Sequence, residues 1–186
     1  SRGLGDVYKR QKYLYVTAPY SDLVNYSFED IKDFAGHGLF LYNHLERVHA
    51  LPEEMFLNYI LDHRVNEEEV LPCRTFFWNE LKDRIEGKNA KDAAIEVNYW
   101  CAEEATYHSG DDRTLPALTV YRRGYGRCGE ESVFLVNALR SVGIPARQVY
   151  VPRWSHCDDN HAWVELWCDG KWSVSYTHLR AHETLA

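Results

Sequence analysis

The segment from Arg123 to Pro145 constrains the fold most, because a glycine-rich loop there leads directly into an apolar helix. It runs Arg-Gly-Tyr-Gly-Arg-Cys-Gly-Glu-Glu-Ser-Val-Phe-Leu-Val-Asn-Ala-Leu-Arg-Ser-Val-Gly-Ile-Pro. Gly143 and Pro145 end the predicted helix, since neither residue favours its continuation. Cys128 therefore lies at or just before the N-terminus of a helix that must pack against other layers.

The position of Cys128 favours a reactive thiol. Backbone amides and the macrodipole at a helix N-terminus stabilise a thiolate, so we expect a lowered thiol pKa. Gly126 and Gly129 leave space on either side of the sulfur, and the Cys128 amide is a candidate oxyanion-hole donor. The alternative is a buried structural thiol, a common fate of cysteine. Flanking glycines, a preceding Arg127 and two following acids favour the nucleophile instead.

Downstream of this helix the pattern predicts an antiparallel hairpin. Residues 146–151 and 161–168 are expected as strands, and Asp169-Gly170 as the turn that follows. Alternation places one set of side chains on one face of the second strand: His161, Trp163, Glu165 and Trp167. His161 heads that strand, from which an imidazole can meet the sulfur of a helix-capping cysteine and act as its base. The alternative is a half-exposed strand histidine with a structural hydrogen bond.

The first half of the chain is predicted to be helical. Residues 27–34 and 39–45 are expected as two helical segments broken by Gly36 and Gly38. Further helices are predicted from Pro52, over 75–85, and from Asn89 towards Ala105. These segments form an N-terminal helical layer.

Several function classes are disfavoured by composition. A formal net charge of -7 argues against a nucleic-acid partner, and the apolar runs are far shorter than a membrane-spanning helix needs.

Five cysteines, an odd number, indicate neither a complete disulfide framework nor a zinc ribbon. The loop from His156 to His161 contains metal-ligating side chains, but no second ligand pair supports a metal site. We therefore expect no metal. Trp100, Trp154 and Trp163 are interpreted mainly as packing residues.

Three segments, 124–130, 139–147 and 159–167, resemble the core of the transglutaminase-like superfamily. The resemblance covers residues 95–173, and the stretch around 52–59 is similar to the N-terminal part of a bacterial branch. It implies an α+β papain-like fold, with a nucleophile helix packed on an antiparallel sheet, and a Cys-His-Asp triad that acts on amide bonds without a metal or an organic cofactor. Cys128 and His161 match the first two triad positions.

The triad acid is expected on the strand past Trp172, where residues 174–179 hold no carboxylate. No nearby acid is assigned to the triad, among Asp158, Asp159, Glu165 and Asp169.

Both ends of the chain resemble translated adaptor sequence. We therefore expect residues 1–11 and 174–186 to be non-native flanks, 12–94 to be the helical region, and 95–173 to be a C-terminally truncated catalytic core. With the natural N-terminus expected to be missing, the cellular location is left open, and a secreted or cell-envelope location fits the bacterial branch.

The predicted activity is thiol-dependent acyl transfer through a thioester, with hydrolysis favoured over cross-linking. The expected partner is a peptide, a protein or a cell-wall peptide. Two alternatives stay open: a protein-glutamine transamidase, and a non-catalytic binding module on a papain-like fold.

Overall fold

The computed structural model describes residues 2–110, 113–153 and 160–175. Within these ranges a π-helical turn, Leu57–Leu61, continues directly from the short helix Glu53–Phe56. The helices are α1 (Arg2–Thr17), α2 (Tyr20–Asn25), α3 (Phe28–His44), α4 (Glu46–His49), α5 (Glu53–Phe56), α6 (Arg74–Ile85), α7 (Ala90–Glu104), α8 (Ala117–Arg123) and α9 (Cys128–Ser141). The strands are β1 (Thr106–Tyr107), β2 (Tyr125–Gly126), β3 (Ala146–Val151), β4 (His161–Cys168) and β5 (Lys171–Ser175).

Helix α9 is the centre of the fold. Every residue from Glu130 to Ser141 is buried. Helices α6, α7 and α8 contact it, as do strands β3 and β4 of the antiparallel sheet. The predicted α+β architecture, in which the helix that begins at Cys128 packs on an antiparallel sheet, is therefore confirmed.

The antiparallel sheet has the order β3-β4-β5, with Val151 opposite His161 and Gln148 opposite Val164. Burial alternates strictly along β4, as predicted. Its buried residues are Ala162, Val164, Leu166 and Cys168, and its half-buried residues are His161, Trp163, Glu165 and Trp167. Asp169 and Gly170 both have positive φ, 53° and 78°, which a tight type I′ hairpin turn requires.

Helix α3 differs from the prediction, because it runs unbroken through Gly36 and Gly38. The expected interruption there is wrong. A glycine inside a helix costs only about 0.5–1 kcal/mol relative to alanine, which packing readily offsets. Gly38 is buried, and a Cβ built on it would lie 2.6 Å from Cδ1 of Leu61. The glycine therefore lets α3 pack closely against the π-helical turn.

The other predicted helices agree with the structure. The helix expected from Pro52 begins at Glu53, and α7 begins after Asn89, whose side chain accepts a hydrogen bond from the Asp92 amide at 2.9 Å. Trp100 is buried and stacks on Tyr121 with ring centroids 5.6 Å apart, which fits the expected packing role. Trp154 lies outside the described residues. Among the described helices, none is both long and apolar enough to span a membrane.

Candidate active site

Cys128 is the first residue of α9 and lines an open cleft. The cleft has a volume of about 690 Å³. Its walls come from the loop at 65–67, from strand β3, from the start of β4, and from the residues Tyr107, Ser109 and Thr114. Cys128 is half-buried, so its sulfur is reachable from the cleft.

Backbone groups of two elements contact the Cys128 thiol. The sulfur accepts hydrogen bonds from the backbone N–H of Gly129 and from that of Ala162. Ala162 directly follows His161, the first residue of β4. The structure therefore brings Cys128 to the residue adjacent to His161, at the end of β4 where the base was predicted. The His161 ring is half-buried and lies 6.0 Å from the Trp163 ring, centroid to centroid.

The pKa of the Cys128 thiol is raised above its ordinary value, mainly because burial disfavours the thiolate. The two backbone N–H donors lower the pKa, and the carboxylates of Glu130 and Glu131 raise it. The expectation that the helix start would lower this pKa is therefore wrong. Burial outweighs the stabilisation that the helix start provides.

The first turn of α9 is held by acidic residues. The Arg127 amide donates to Oε2 of Glu130 at 2.7 Å, and Nη2 of Arg127 lies 2.8 Å from Oε1 of the same carboxylate. Burial and, to a smaller extent, the neighbouring charge of Glu130 together raise the pKa of Glu131 to about 8. The negative charges of Glu130 and Glu131 at this end of the helix therefore disfavour ionisation of the Cys128 thiol.

The acids near the hairpin are either engaged elsewhere or not described. Glu165 accepts two hydrogen bonds from the Arg147 guanidinium, at 2.9 and 2.7 Å. Asp169 lies in the turn at the opposite end of β4 from His161. Asp158 and Asp159 lie outside the described residues, as do His156 and Cys157. We therefore assign no triad acid.

The described part of the chain contains no group of three or more His, Cys, Asp or Glu side chains arranged to hold a metal ion. The four described cysteines, Cys73, Cys101, Cys128 and Cys168, are free thiols. Cys128 is half-buried and the other three are buried. Burial raises the pKa of Cys73 to about 12, so that thiol stays protonated at neutral pH.

Sequence reasoning missed Gln148, a residue of β3 that lines the cleft. Its side-chain amide bonds to the first part of α9 and to Asn66. The signal available in the sequence was a polar residue next to Arg147 in the predicted strand 146–151, which does not identify its partners.

A cysteine that begins a buried helix, packed on an antiparallel sheet whose second strand begins with histidine, defines the class of papain-like thiol proteins. The family model of the transglutaminase-like superfamily matches residues 79–176, more than half of the chain. The chain belongs to the transglutaminase-like superfamily.

Two solved structures share similarity with the chain. A candidate cysteine protease from Cytophaga hutchinsonii is 20% identical with a TM-score of 0.47, over 56% of this chain and 36% of that chain. LapG from Legionella pneumophila is 15% identical with a TM-score of 0.46, over 70% of this chain and 68% of that chain. The chain thus spans little more than a third of the length of the Cytophaga protein. No curated protein matched the chain.

Proposed function

We propose that this protein is a cysteine-dependent enzyme that transfers the acyl group of a peptide bond or side-chain amide through a thioester. One observation carries the proposal: the half-buried Cys128 thiol begins α9, lines an open cleft, and accepts a hydrogen bond from Ala162, the residue next to His161. Membership of the transglutaminase-like superfamily supports the same chemistry.

The raised thiol pKa favours a neutral Cys128 in the resting enzyme. His161 then acts as a general base that removes the thiol proton as the sulfur attacks the amide carbonyl. A C–S bond forms, and the carbonyl oxygen gains negative charge that the Cys128 amide is placed to stabilise. The imidazolium of His161 returns the proton to the departing amine as the C–N bond breaks. This leaves a thioester on Cys128.

Hydrolysis is the favoured second step. The cleft is open and its walls carry hydroxyl side chains, those of Ser109 and Thr114, that are able to hydrogen-bond with water. Water therefore has access to the thioester, and His161 removes a proton from the attacking water molecule. The release of a carboxylic acid regenerates the thiol. A cleft of about 690 Å³ accommodates several residues of a peptide, a protein segment or a cell-wall peptide.

The test is amide cleavage measured on a mixed peptide library, with and without a fluorescent primary amine as competing acceptor. Cys128→Ala should abolish cleavage, and His161→Ala should reduce kcat by about 10⁴- to 10⁶-fold, the range seen when the acid or the histidine of a catalytic triad is removed. Cys168→Ala, which removes a buried thiol at the far end of β4, should leave kcat unchanged.

Cleavage that survives in Cys128→Ala would contradict the proposal. Efficient incorporation of the fluorescent amine, in place of carboxylate release, would show that transamidation is the favoured second step.

A further inference from the structure

Gln148 links the nucleophile helix to the opposite wall of the cleft. It lies on β3, opposite Val164 of β4. Its Nε2 donates to the Ser132 hydroxyl at 2.6 Å and to the Gly129 carbonyl at 3.1 Å. Both acceptors belong to the first five residues of α9.

The link extends to Cys128 through a single hydroxyl group. Ser132 Oγ donates to the Cys128 carbonyl at 2.6 Å and lies 2.9 Å from the Gly129 carbonyl. Gln148 therefore reaches the main chain of the nucleophile by one route through Ser132 and reaches its neighbour, Gly129, directly. Ser132 is fully buried, so water does not compete for these bonds.

The other end of the Gln148 amide is held by Asn66, whose Nδ2 donates to Oε1 of Gln148 at 2.6 Å. The loop that carries Asn66 is itself fixed, because the buried Glu68 carboxylate accepts from the amides of Val65 and Asn66 at 3.0 and 2.7 Å. The Gly129 carbonyl accepts and cannot donate, so it requires the Nε2 of Gln148 on its side. This sets the orientation of the amide without ambiguity.

We propose that Gln148 is a positioning residue for the Cys128 nucleophile. It ties the first turn of α9 to β3 and so holds the sulfur against the Ala162 amide at the start of β4. The sulfur is thereby kept at a fixed position relative to His161. This inference rests on the proposed function, since it assumes that the Cys128 thiol is the attacking group. A shift of about 1 Å in a reacting group costs about 100-fold in rate.

Gln148→Glu is the sharpest test, because the variant keeps the shape and changes only the hydrogen-bonding groups. An ionised carboxylate next to the Gly129 carbonyl replaces a donor with an acceptor, whereas the protonated acid still carries one O–H donor. We expect kcat to fall between about tenfold and 100-fold at pH 8, with a smaller change in KM. The ratio of wild-type kcat to variant kcat, measured at the same pH, should decrease towards one as the pH falls, because the carboxylate becomes protonated.

Gln148→Ala and Ser132→Ala separate positioning from general destabilisation. Gln148→Ala should lower kcat at every pH without recovery in acid. The double variant should be little worse than the more impaired single variant, because both changes break one hydrogen-bonded path. Gln11→Glu makes the same chemical change in α1, away from the cleft, and should leave kcat and its pH profile unchanged.

The rate of Cys128 alkylation by iodoacetamide provides a readout that needs no substrate. Loss of the Ala162 hydrogen bond should raise the thiol pKa, so alkylation of Gln148→Glu should be slower than wild type near neutral pH, and the difference should narrow in acid. If the wild type cleaves no amide but this alkylation difference appears, then the proposed function fails and the positioning role stands. Two results would show that Gln148 does not position the nucleophile. In the first, the alkylation rate and kcat of Gln148→Glu, Gln148→Ala and Ser132→Ala equal those of wild type. In the second, both quantities decrease equally at every pH, in proportion to the folded fraction of each variant.

Discussion

At the scale of single residues, the reactivity of Cys128 depends on opposing effects. The amides of Gly129 and Ala162 stabilise a thiolate, whereas burial and the carboxylates of Glu130 and Glu131 stabilise the thiol. Burial is the largest effect, so the pKa of the thiol is raised. A resting site with a neutral thiol requires a base at the moment of attack, which is the role proposed for His161.

The raised pKa makes a specific prediction for alkylation. The rate of Cys128 labelling by iodoacetamide should increase with pH, with a midpoint above that of a small cysteine peptide in the same buffer. Because the pKa of Cys128 is raised, its thiolate fraction at any pH below the midpoint is smaller than that of the peptide. Labelling is followed by mass spectrometry of the peptide that contains Cys128. A fast plateau that persists near pH 6 would contradict this prediction and indicate a preformed thiolate–imidazolium pair.

The sequence predicts Cys128 as the nucleophile from local signals: two glycines, a helix start and an apolar helix that follows. The direction of its pKa shift was not predictable, because the degree of burial depends on β4 and on the carboxylates around the helix start. Gln148 was missed for a related reason. Its partner Asn66 lies 82 residues earlier in the chain, and only the folded cleft brings the two amides together.

At the scale of elements, the two glycines of α3 show how packing decides what a sequence pattern leaves open. Gly36 is exposed, and a Cβ added there meets no atom within 4 Å. Gly38 is buried, and a Cβ there would come within 2.6 Å of the fully buried Leu61 side chain. The same residue type therefore has opposite effects on stability two residues apart, on different sides of the helix. Gly36 acts as a weak helix former, whereas Gly38 is required for close contact.

The two glycines provide a matched pair of variants. Gly36→Ala should increase the free energy of unfolding by about 0.5–1 kcal/mol, because alanine favours the helix. Gly38→Ala should decrease it by about 1–3 kcal/mol, because Leu61 must move within a packed layer. Urea denaturation followed by circular dichroism measures both. An equal stabilisation by the two alanines would show that α3 and the π-helical turn are not in close contact.

Element boundaries were predicted best where a local cap defines them, as at Asn89 before α7 and Gly143 after α9. The π-helical turn was not predicted, because residues 57–61 carry the same apolar spacing as an ordinary helix. Its end at Asp62 is stabilised by tertiary contacts, since the Asp62 carbonyl accepts from Arg74 and Arg140, both at 2.9 Å.

At the scale of the whole molecule, two buried arginines join the N-terminal helical layer to α9. Arg74 of α6 donates to the Ile60 carbonyl at 2.8 Å and to Asn137 of α9 at 2.9 Å. Arg140 of α9 donates to the carbonyls of Arg64 and Ala146 at 2.8 and 3.0 Å. Burial lowers the pKa of Arg140 to about 10, yet the side chain stays charged at neutral pH. The loop that forms one wall of the cleft is therefore anchored to α9 by charged donors.

Removal of Arg140 should weaken the whole fold. Arg140→Leu leaves three backbone carbonyls without these donors, and we expect a loss of about 2–4 kcal/mol in the free energy of unfolding. Arg140→Lys should recover only part of that loss, because an ammonium does not reproduce the planar fork of a guanidinium. Arg122→Leu, on the exposed face of α8, serves as the control in the same denaturation experiment. A cost for Arg140→Leu no larger than that of the control would show that the two layers do not depend on this link.

The most direct measurement of the central claim is the detection of an acyl group on the Cys128 sulfur. The protein is mixed with a p-nitrophenyl ester of a short peptide, quenched in acid within the first turnover, digested, and analysed by mass spectrometry. We expect the acyl mass on the peptide that contains Cys128, removable by hydroxylamine as a thioester should be, and formed far more slowly in His161→Ala. Release of p-nitrophenol by the wild type with the acyl group on another residue, or at an undiminished rate in Cys128→Ala, would contradict the assignment of Cys128 as the nucleophile.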